Sequence, residues 1–458
     1  MSYLCSFAIS YCLGHLLVTS LLAKDKKLNV YLLFFLAAGL GLGLSGYILF
    51  YSFLVFDQLN KTAVILGHLL LLFGLLMLSS RTKPKHEKFL WEFRGLNLET
   101  NLFLLVIGIA FIPIICQAWL YPFGGWDAWS VWNLKARFLF LGEGNWKNLL
   151  DPILWRSSPH YPLLLPLINV WGWTFSSSPG STGPLLTSLV FSALTAGLIF
   201  SGLIKSSKSL SFQNAFKIPP KILALLATLL MVTLPFFTKL ASSQYCDIVL
   251  AYYLLGSFIC LTQARTRSSK SFALLAGLFL GFLSFTKPEG ASAALLIFFL
   301  SLPYLFRRDQ TLKNQNLLAF FFLGLVIGGL PTILFELLYA PPNQTFINGL
   351  SSTIKPSSLF RMKMILSFFL VEFKSGKWNG IWFLCLSGLI LSKGKCLRPT
   401  IRVIPVFLFC YFLMIGVYYY INTYFEIGWW LQVSLNRILF AILPCVVFWV
   451  FDSIEEDQ

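Results

Sequence analysis

A chain of 458 residues that is 57% hydrophobic and only 12% charged, with a mean hydropathy of +0.76, lies outside the composition of soluble globular proteins. Its net charge of +17 is distributed as short Lys and Arg clusters between apolar runs and not gathered on one basic face, which argues against a nucleic-acid partner. The apolar runs, typically about 16–27 residues without period-2 alternation, exclude a β-barrel and call for an all-α polytopic membrane protein.

The first run, 2–23, lacks a basic leader and a small-residue cleavage site, so it reads as a retained helix and not a signal peptide. Basic clusters then follow alternate apolar runs. They are Lys24/Lys26/Lys27, Arg81/Lys83/Lys85/Lys88/Arg94, Lys205/Lys208/Lys217/Lys221, Arg265/Arg267/Lys270, Arg307/Arg308/Lys313 and Lys393/Lys395/Arg398/Arg402. Together they hold most of the chain's 35 basic residues, and the positive-inside rule puts all six loops in the cytoplasm. The spans that satisfy this parity are approximately 2–23, 30–56, 62–80, 102–121, 183–204, 222–240, 248–263, 271–286, 291–306, 317–339, 376–392, 402–421 and 437–452. About thirteen transmembrane helices result, with the N-terminus outside and 451–458 inside; 248–263 and 271–286 are at the lower limit of a full crossing.

Residues 1–100 read as an N-terminal three-helix extension with its cytoplasmic loop, ahead of a membrane domain over 101–458 whose long outer loop is 122–182. The apolar run 162–175 is short and contains Pro162 and Pro166, and as a crossing it would throw every later basic loop outside. It is expected to be a re-entrant or interfacial helix of the outer loop. A second amphipathic stretch, 357–374, is expected on the same outer surface. Neither a soluble domain nor an inverted repeat of the kind found in transporters is visible. The nine cysteines fall mostly within apolar runs (Cys5, Cys12, Cys116, Cys260, Cys385, Cys410, Cys445), without CxxC spacing, and indicate neither a disulfide framework nor a zinc site.

With sidedness taken from the basic loops alone, the unusual polar residues fall on the outer side. Asp127, flanked by Trp126, Trp129 and Trp132 and preceded by Gly124 and Gly125, suits a general base or metal ligand among rings that stack on a sugar or an isoprene; it also suits a solvated acid in an aromatic belt. His160, before Tyr161 and Pro162, could contact a phosphate or a metal, or be an ordinary surface histidine. Asp247, preceded by Tyr245, is either a second site carboxylate or a charge favouring a helix N-terminus. Lys287 and Glu289 sit in a tight turn between short helices, where a lysine at headgroup level suits a lipid phosphate and the glutamate would orient it. Arg437 lies one helical step inside the last span and needs a carboxylate or phosphate partner. Glu426 borders the same loop.

In chain order these are a tryptophan-flanked Asp127, His160-Tyr161-Pro162, the Tyr245-x-Asp247 pair, the turn Thr286-Lys287-Pro288-Glu289-Gly290, and Ser434-x-x-Arg437. The set resembles the integral-membrane glycosyltransferases of the GT-C fold, in the protein-mannosyltransferase and aminoarabinose-transferase-like branch, over about residues 100–452. The resemblance implies transfer of a sugar from a polyprenyl- or dolichyl-phosphate donor to an acceptor hydroxyl on a glycan, lipid or protein at the outer face, with inversion. That face is the periplasmic side of a bacterial inner membrane or the lumen of the endoplasmic reticulum. On that reading Asp127 is the catalytic carboxylate, Lys287, Arg437 and His160 bind the donor phosphate, and Asp247, Tyr245, Trp126, Trp129, Glu289 and Tyr161 serve the acceptor or sugar. Asp127 is followed by Ala128, so the acidic pair of many family members is absent; a divalent cation, if one is used, would fall to Asp127, Asp247 and His160. The competing readings are a transporter or flippase of lipid-linked sugars, which should place charges near the bilayer midplane, and a non-catalytic scaffold, which needs no convergence of these groups.

Overall fold

A backbone in lipid must satisfy its own hydrogen bonds, and the apolar composition leaves helices as the solution. The computed structural model describes residues 2–25, 29–82, 98–176, 178–204, 220–306, 316–351 and 358–454, and among them there is no strand. The basic residues Lys26, Lys27, Lys83, Lys85, Lys88, Arg94, Lys205, Lys208, Lys217, Arg307, Arg308 and Lys313 lie outside the described residues.

The helices are α1 (Ser2–Leu21), α2 (Val30–Phe56), α3 (Lys61–Thr82), α4 (Leu98–Leu120), α5 (Asn133–Leu141), α6 (Leu164–Thr174), α7 (Thr182–Leu203), α8 (Pro220–Val232) and α9 (Pro235–Ser242). They continue with α10 (Cys246–Arg267), α11 (Lys270–Ser284), α12 (Pro288–Phe306), α13 (Leu317–Leu338), α14 (Gln344–Ser351), α15 (Ser358–Lys374), α16 (Ile381–Leu391), α17 (Val403–Ile421) and α18 (Ile427–Ile454). Nine helices among the described residues are long and apolar enough to cross a membrane, or ten if α8 and α9, which meet at a 69° bend, form one span. The expected spans at 102–121, 271–286 and 376–392 correspond to shorter apolar helices, Leu105–Leu120, Lys270–Ser284 and Ile381–Leu391. The chain is therefore an all-α, multi-pass membrane protein.

At the centre is α10, buried along almost its whole length against α7, α11 and α18. The N-terminal helices pack into this bundle: Tyr252 and Tyr253 of α10 donate to the carbonyls of Phe35 and Gly39 on α2 at 2.7 and 2.9 Å. Tyr47 of α2 donates to the carbonyl of Gly328 on α13. With lipid tails as apolar as leucine, close backbone approach replaces the hydrophobic drive. A methyl on Gly281 of α11 would come within 2.1 Å of the Gly328 backbone, so α11 and α13 touch there without side chains between them. That contact sets the height of the α11–α12 turn, which carries Lys287.

The expected re-entrant run is α6, and every one of its residues is buried. It lies against α1, α2, α5 and α7, held by Leu164 N–H to Phe285 O (3.1 Å) and by the Trp171 indole to Ser6 O and Ser10 Oγ (both 3.0 Å). An interfacial helix would keep one face free, so the protein, and not the headgroup layer, surrounds this one. The last helix begins ten residues before the expected start at 437, which places Arg437 about 15 Å along it at 1.5 Å per residue.

Contacts also sort the loops into two ends. Asn29 reaches Ser201 O (3.0 Å), Ser269 binds Asp25 (3.0 Å), Ser271 binds Leu21 O (2.6 Å), and Arg398 pairs with Asp452. Tyr304 donates to Thr400 O and lies in the field of Arg265, Arg402 and Asp452, joining these loops into one basic end. The opposite end holds the segments around Asp127, Tyr245, Lys287 and Arg437.

Candidate functional site

At the second end, four segments far apart in sequence form one charge cluster. Arg437 of α18 donates from Nε and Nη2 to Asp247 Oδ2, at 2.9 Å each, and from Nη1 to Asp127 Oδ2 at 2.6 Å. Lys287 Nζ binds the other Asp247 oxygen at 3.1 Å and lies 3.7 Å from Glu289 Oε1. Asp247 and Lys287 are almost wholly buried, with side chains 4% and 7% exposed, whereas Asp127 and Arg437 stand at the rim at 27% and 19%. Burial works against the Lys287 ammonium, but Asp247 and Glu289 more than offset it and hold its pKa above the ordinary lysine value. Glu289 keeps its Oε2 without a partner among the described residues.

Local structure explains why these groups meet. Gly124 adopts φ +72°, and a Cβ on Gly125 would lie 2.4 Å from the Tyr245 hydroxyl, so the glycine pair lets the chain turn tightly against the segment before α10. Gly125 N–H donates to Ser243 O (3.0 Å) and Gln244 Nε2 to Pro122 O (2.8 Å), fixing the two segments together. Ala128–Trp132 then form a π-helical turn that leads into α5. Tyr245 places its ring 4.7 Å from the Arg437 guanidinium carbon. Asp247 lies in the first turn of α10, yet its carboxylate is spent on Arg437 and Lys287, which a helix-terminus charge alone does not require.

The remaining sequence candidates are distributed around this centre. Tyr161 feels Glu289, Lys287, Arg437 and Asp127 electrostatically, and burial first of all raises its pKa. Trp126 and Trp129 are exposed and pack on each other at 4.4 Å, while Trp132 is fully buried beside Tyr161. Trp129 also lines a cavity of about 420 Å³, with Phe123, Asn133, Arg137, Trp173 and Ser181 among its other walls. His160 packs edge-on against Tyr161 at 4.9 Å, and its pKa is lowered to about 4, first by burial and then by Lys135. It is neutral at physiological pH, so its expected phosphate role reduces to hydrogen bonding. Glu426 is exposed and caps α18, accepting from Gly428 N–H (2.7 Å) and Trp429 N–H (2.5 Å), apart from the cluster.

Among the described residues no three His, Cys, Asp or Glu side chains converge as a metal-ligand set. The conditional set Asp127, Asp247 and His160 does not assemble, because a guanidinium stands between the two acids and His160 is turned toward Lys135 and Tyr161.

Lys135 escaped the sequence reading. Only 1% exposed, it donates to Ser158 O (2.8 Å), Pro159 O (3.4 Å) and Tyr161 O (2.8 Å), a ring of carbonyls without a carboxylate among the described residues. Burial drives its pKa well below the ordinary value. Its signal was a lysine on the otherwise apolar side of α5. Asn133 was missed too: it donates to Gln244 Oε1 (2.8 Å) and accepts from Asn169 (3.2 Å), tying α5 and α6 to the segment before α10. Neither a protein-family model nor a curated protein nor a solved structure matches this chain.

Proposed function

We propose that the chain is a multi-pass membrane glycosyltransferase of the GT-C kind, taking a sugar from a polyprenyl- or dolichyl-phosphate donor to an acceptor hydroxyl at the outer face. The observation that carries this reading is the cluster itself: two carboxylates from separate segments share Arg437, with Lys287 beneath, at the end of the bundle opposite the basic loops. Thirteen spans with an outer N-terminus bring that end to the periplasmic or luminal side.

In the proposed reaction the acceptor oxygen attacks the anomeric carbon from the face opposite the phosphate. Its proton passes to the Asp127 carboxylate, and the bond from the anomeric carbon to the phosphate oxygen breaks with inversion. The electron pair leaves with the lipid phosphate, whose charge is stabilised by Arg437 and Lys287 without protonation. Glu289, with an oxygen unclaimed among the described residues, supports binding of a sugar hydroxyl, and the exposed Trp126 and Trp129 rings flanking Asp127 support stacking on the acceptor.

The test is transfer from a radiolabelled polyprenyl-phosphate sugar pool in membranes carrying the native protein or Asp127→Asn. A labelled product with the native protein, lost in the variant while the protein stays folded, is expected. Equal labelling in both would remove Asp127 as the base. The 69° break between α8 and α9, which lies one short helix before Ser243 and Gln244, favours a second reading, a flippase of lipid-linked sugars, since transporters use broken helices near their substrate. Protein-dependent movement of a labelled lipid-linked sugar between leaflets, without transfer, would select it.

A further inference from the structure

The two acids on Arg437 are held very unequally. Asp247 is 4% exposed, takes two guanidinium nitrogens at 2.9 Å and binds Lys287 on its other oxygen at 3.1 Å. Asp127 is 27% exposed and holds Arg437 through a single nitrogen, Nη1, at 2.6 Å. The guanidinium is further steadied by the Tyr245 ring at 4.7 Å, so the arginine is the fixed member of the pair and the Asp127 side chain the movable one. The backbone before Asp127 is pinned by the Gly125 N–H to Ser243 O bond at 3.0 Å, which leaves side-chain rotation as the available motion. Charge adds a second constraint. Asp127, Asp247 and Glu289 already outnumber Arg437 and Lys287, so another anion meets net repulsion if it adds to the cluster but not if it replaces one of its carboxylates.

We propose that Asp127 is an internal stand-in ligand for Arg437, displaced from Nη1 when the phosphate anion of a lipid docks there, so that its carboxylate is freed only once that anion is seated. This rests on the reading of the site as one for a lipid-linked sugar phosphate and adds an order to it: donor first, base unmasked second.

The exchange makes an unusual binding prediction. Native protein and Asp127→Asn, purified in detergent and matched for thermal stability, are titrated calorimetrically with farnesyl phosphate, with dilauroyl phosphatidylglycerol as a competitor. Removing the carboxylate that competes for Nη1 should tighten farnesyl phosphate binding about tenfold in Asp127→Asn. In an Arg437→Lys background, where Nη1 is gone, Asp127→Asn should change affinity less than about twofold. Equal or weaker binding by Asp127→Asn would overturn the exchange while leaving the phosphate reading standing. Absence of binding by both proteins would overturn the exchange and the phosphate reading together. Phosphatidylglycerol competing as well as farnesyl phosphate would support the exchange with a bilayer headgroup as the anion, and failure to compete would support it with the prenyl phosphate.

Discussion

Asp247 and Asp127 are both aspartates on one arginine, yet burial gives them different work. Removing the Asp247 carboxylate leaves Lys287 and Arg437 without their shared buried counter-charge, so Asp247→Ala should destabilise the protein by about 3–5 kcal/mol, read as a lowered thermal transition in detergent. Asp127 stands at the rim, and Asp127→Asn should shift the same transition far less. His160 makes a pH prediction. Its folded pKa of about 4 lies below the ordinary 6.5, so the folded protein resists protonating it, and the stability this contributes is present above pH 6.5 and lost as pH falls toward 4. His160→Gln should therefore flatten the acid fall in thermal stability between pH 6.5 and 4 and leave the shape of any activity profile between pH 6 and 8 unchanged. Lys135 holds the loop that carries His160 and Tyr161 by three carbonyls. Lys135→Met should cost about 3 kcal/mol and loosen the loop, measured as faster amide exchange over 158–161, because it leaves those acceptors unpaired.

Elements set the heights at which these residues meet. The α11–α13 contact through Gly281 and Gly328 has no room for a side chain, and Gly281→Val forces the helices apart or rotates them. A loss of about 2–3 kcal/mol is expected, together with a Lys287 displaced from Asp247, which cross-linking yields between cysteines placed on α11 and α13 would report. The α6 helix shows the limit of reading an element in isolation. Its length and prolines mark it as something other than a crossing, and the basic loops require as much. Its burial on every side depends on α1 and α2 wrapping it, which no property of 162–175 announces. The same holds for α18, where the polar start at Gly428 and Gln432 reads as loop although Glu426 caps a helix through it.

At the scale of the molecule, contacts among the described residues bring the basic loops near Asp25, Ser269 and Arg398 to one end, in agreement with the division drawn from charge. Loops rich in Lys and Arg meet through Asn29, Ser269, Tyr304 and Arg398, and the acids, Lys287 and Arg437 meet at the other end. Single cysteines at Asn145 and at Lys393, both exposed, in a protein whose exposed native cysteines are replaced, should react with a membrane-impermeant maleimide from opposite faces. Labelling of both from one face would overturn the topology. Composition by itself determined that the chain is helical and membrane-embedded, and the spacing of basic clusters determined which loops share an end, because desolvation of backbone and charge acts on every residue wherever it lies in the fold. Which acid holds which base was decided only in three dimensions. Arg437 reaches Asp127 and Asp247 across intervals of 310 and 190 residues, through the rotation of α10 and α18 about their axes and the order of helices around them. Hydrophobicity along a span, uniform on all sides when the helix is surrounded by apolar neighbours, does not encode that rotation.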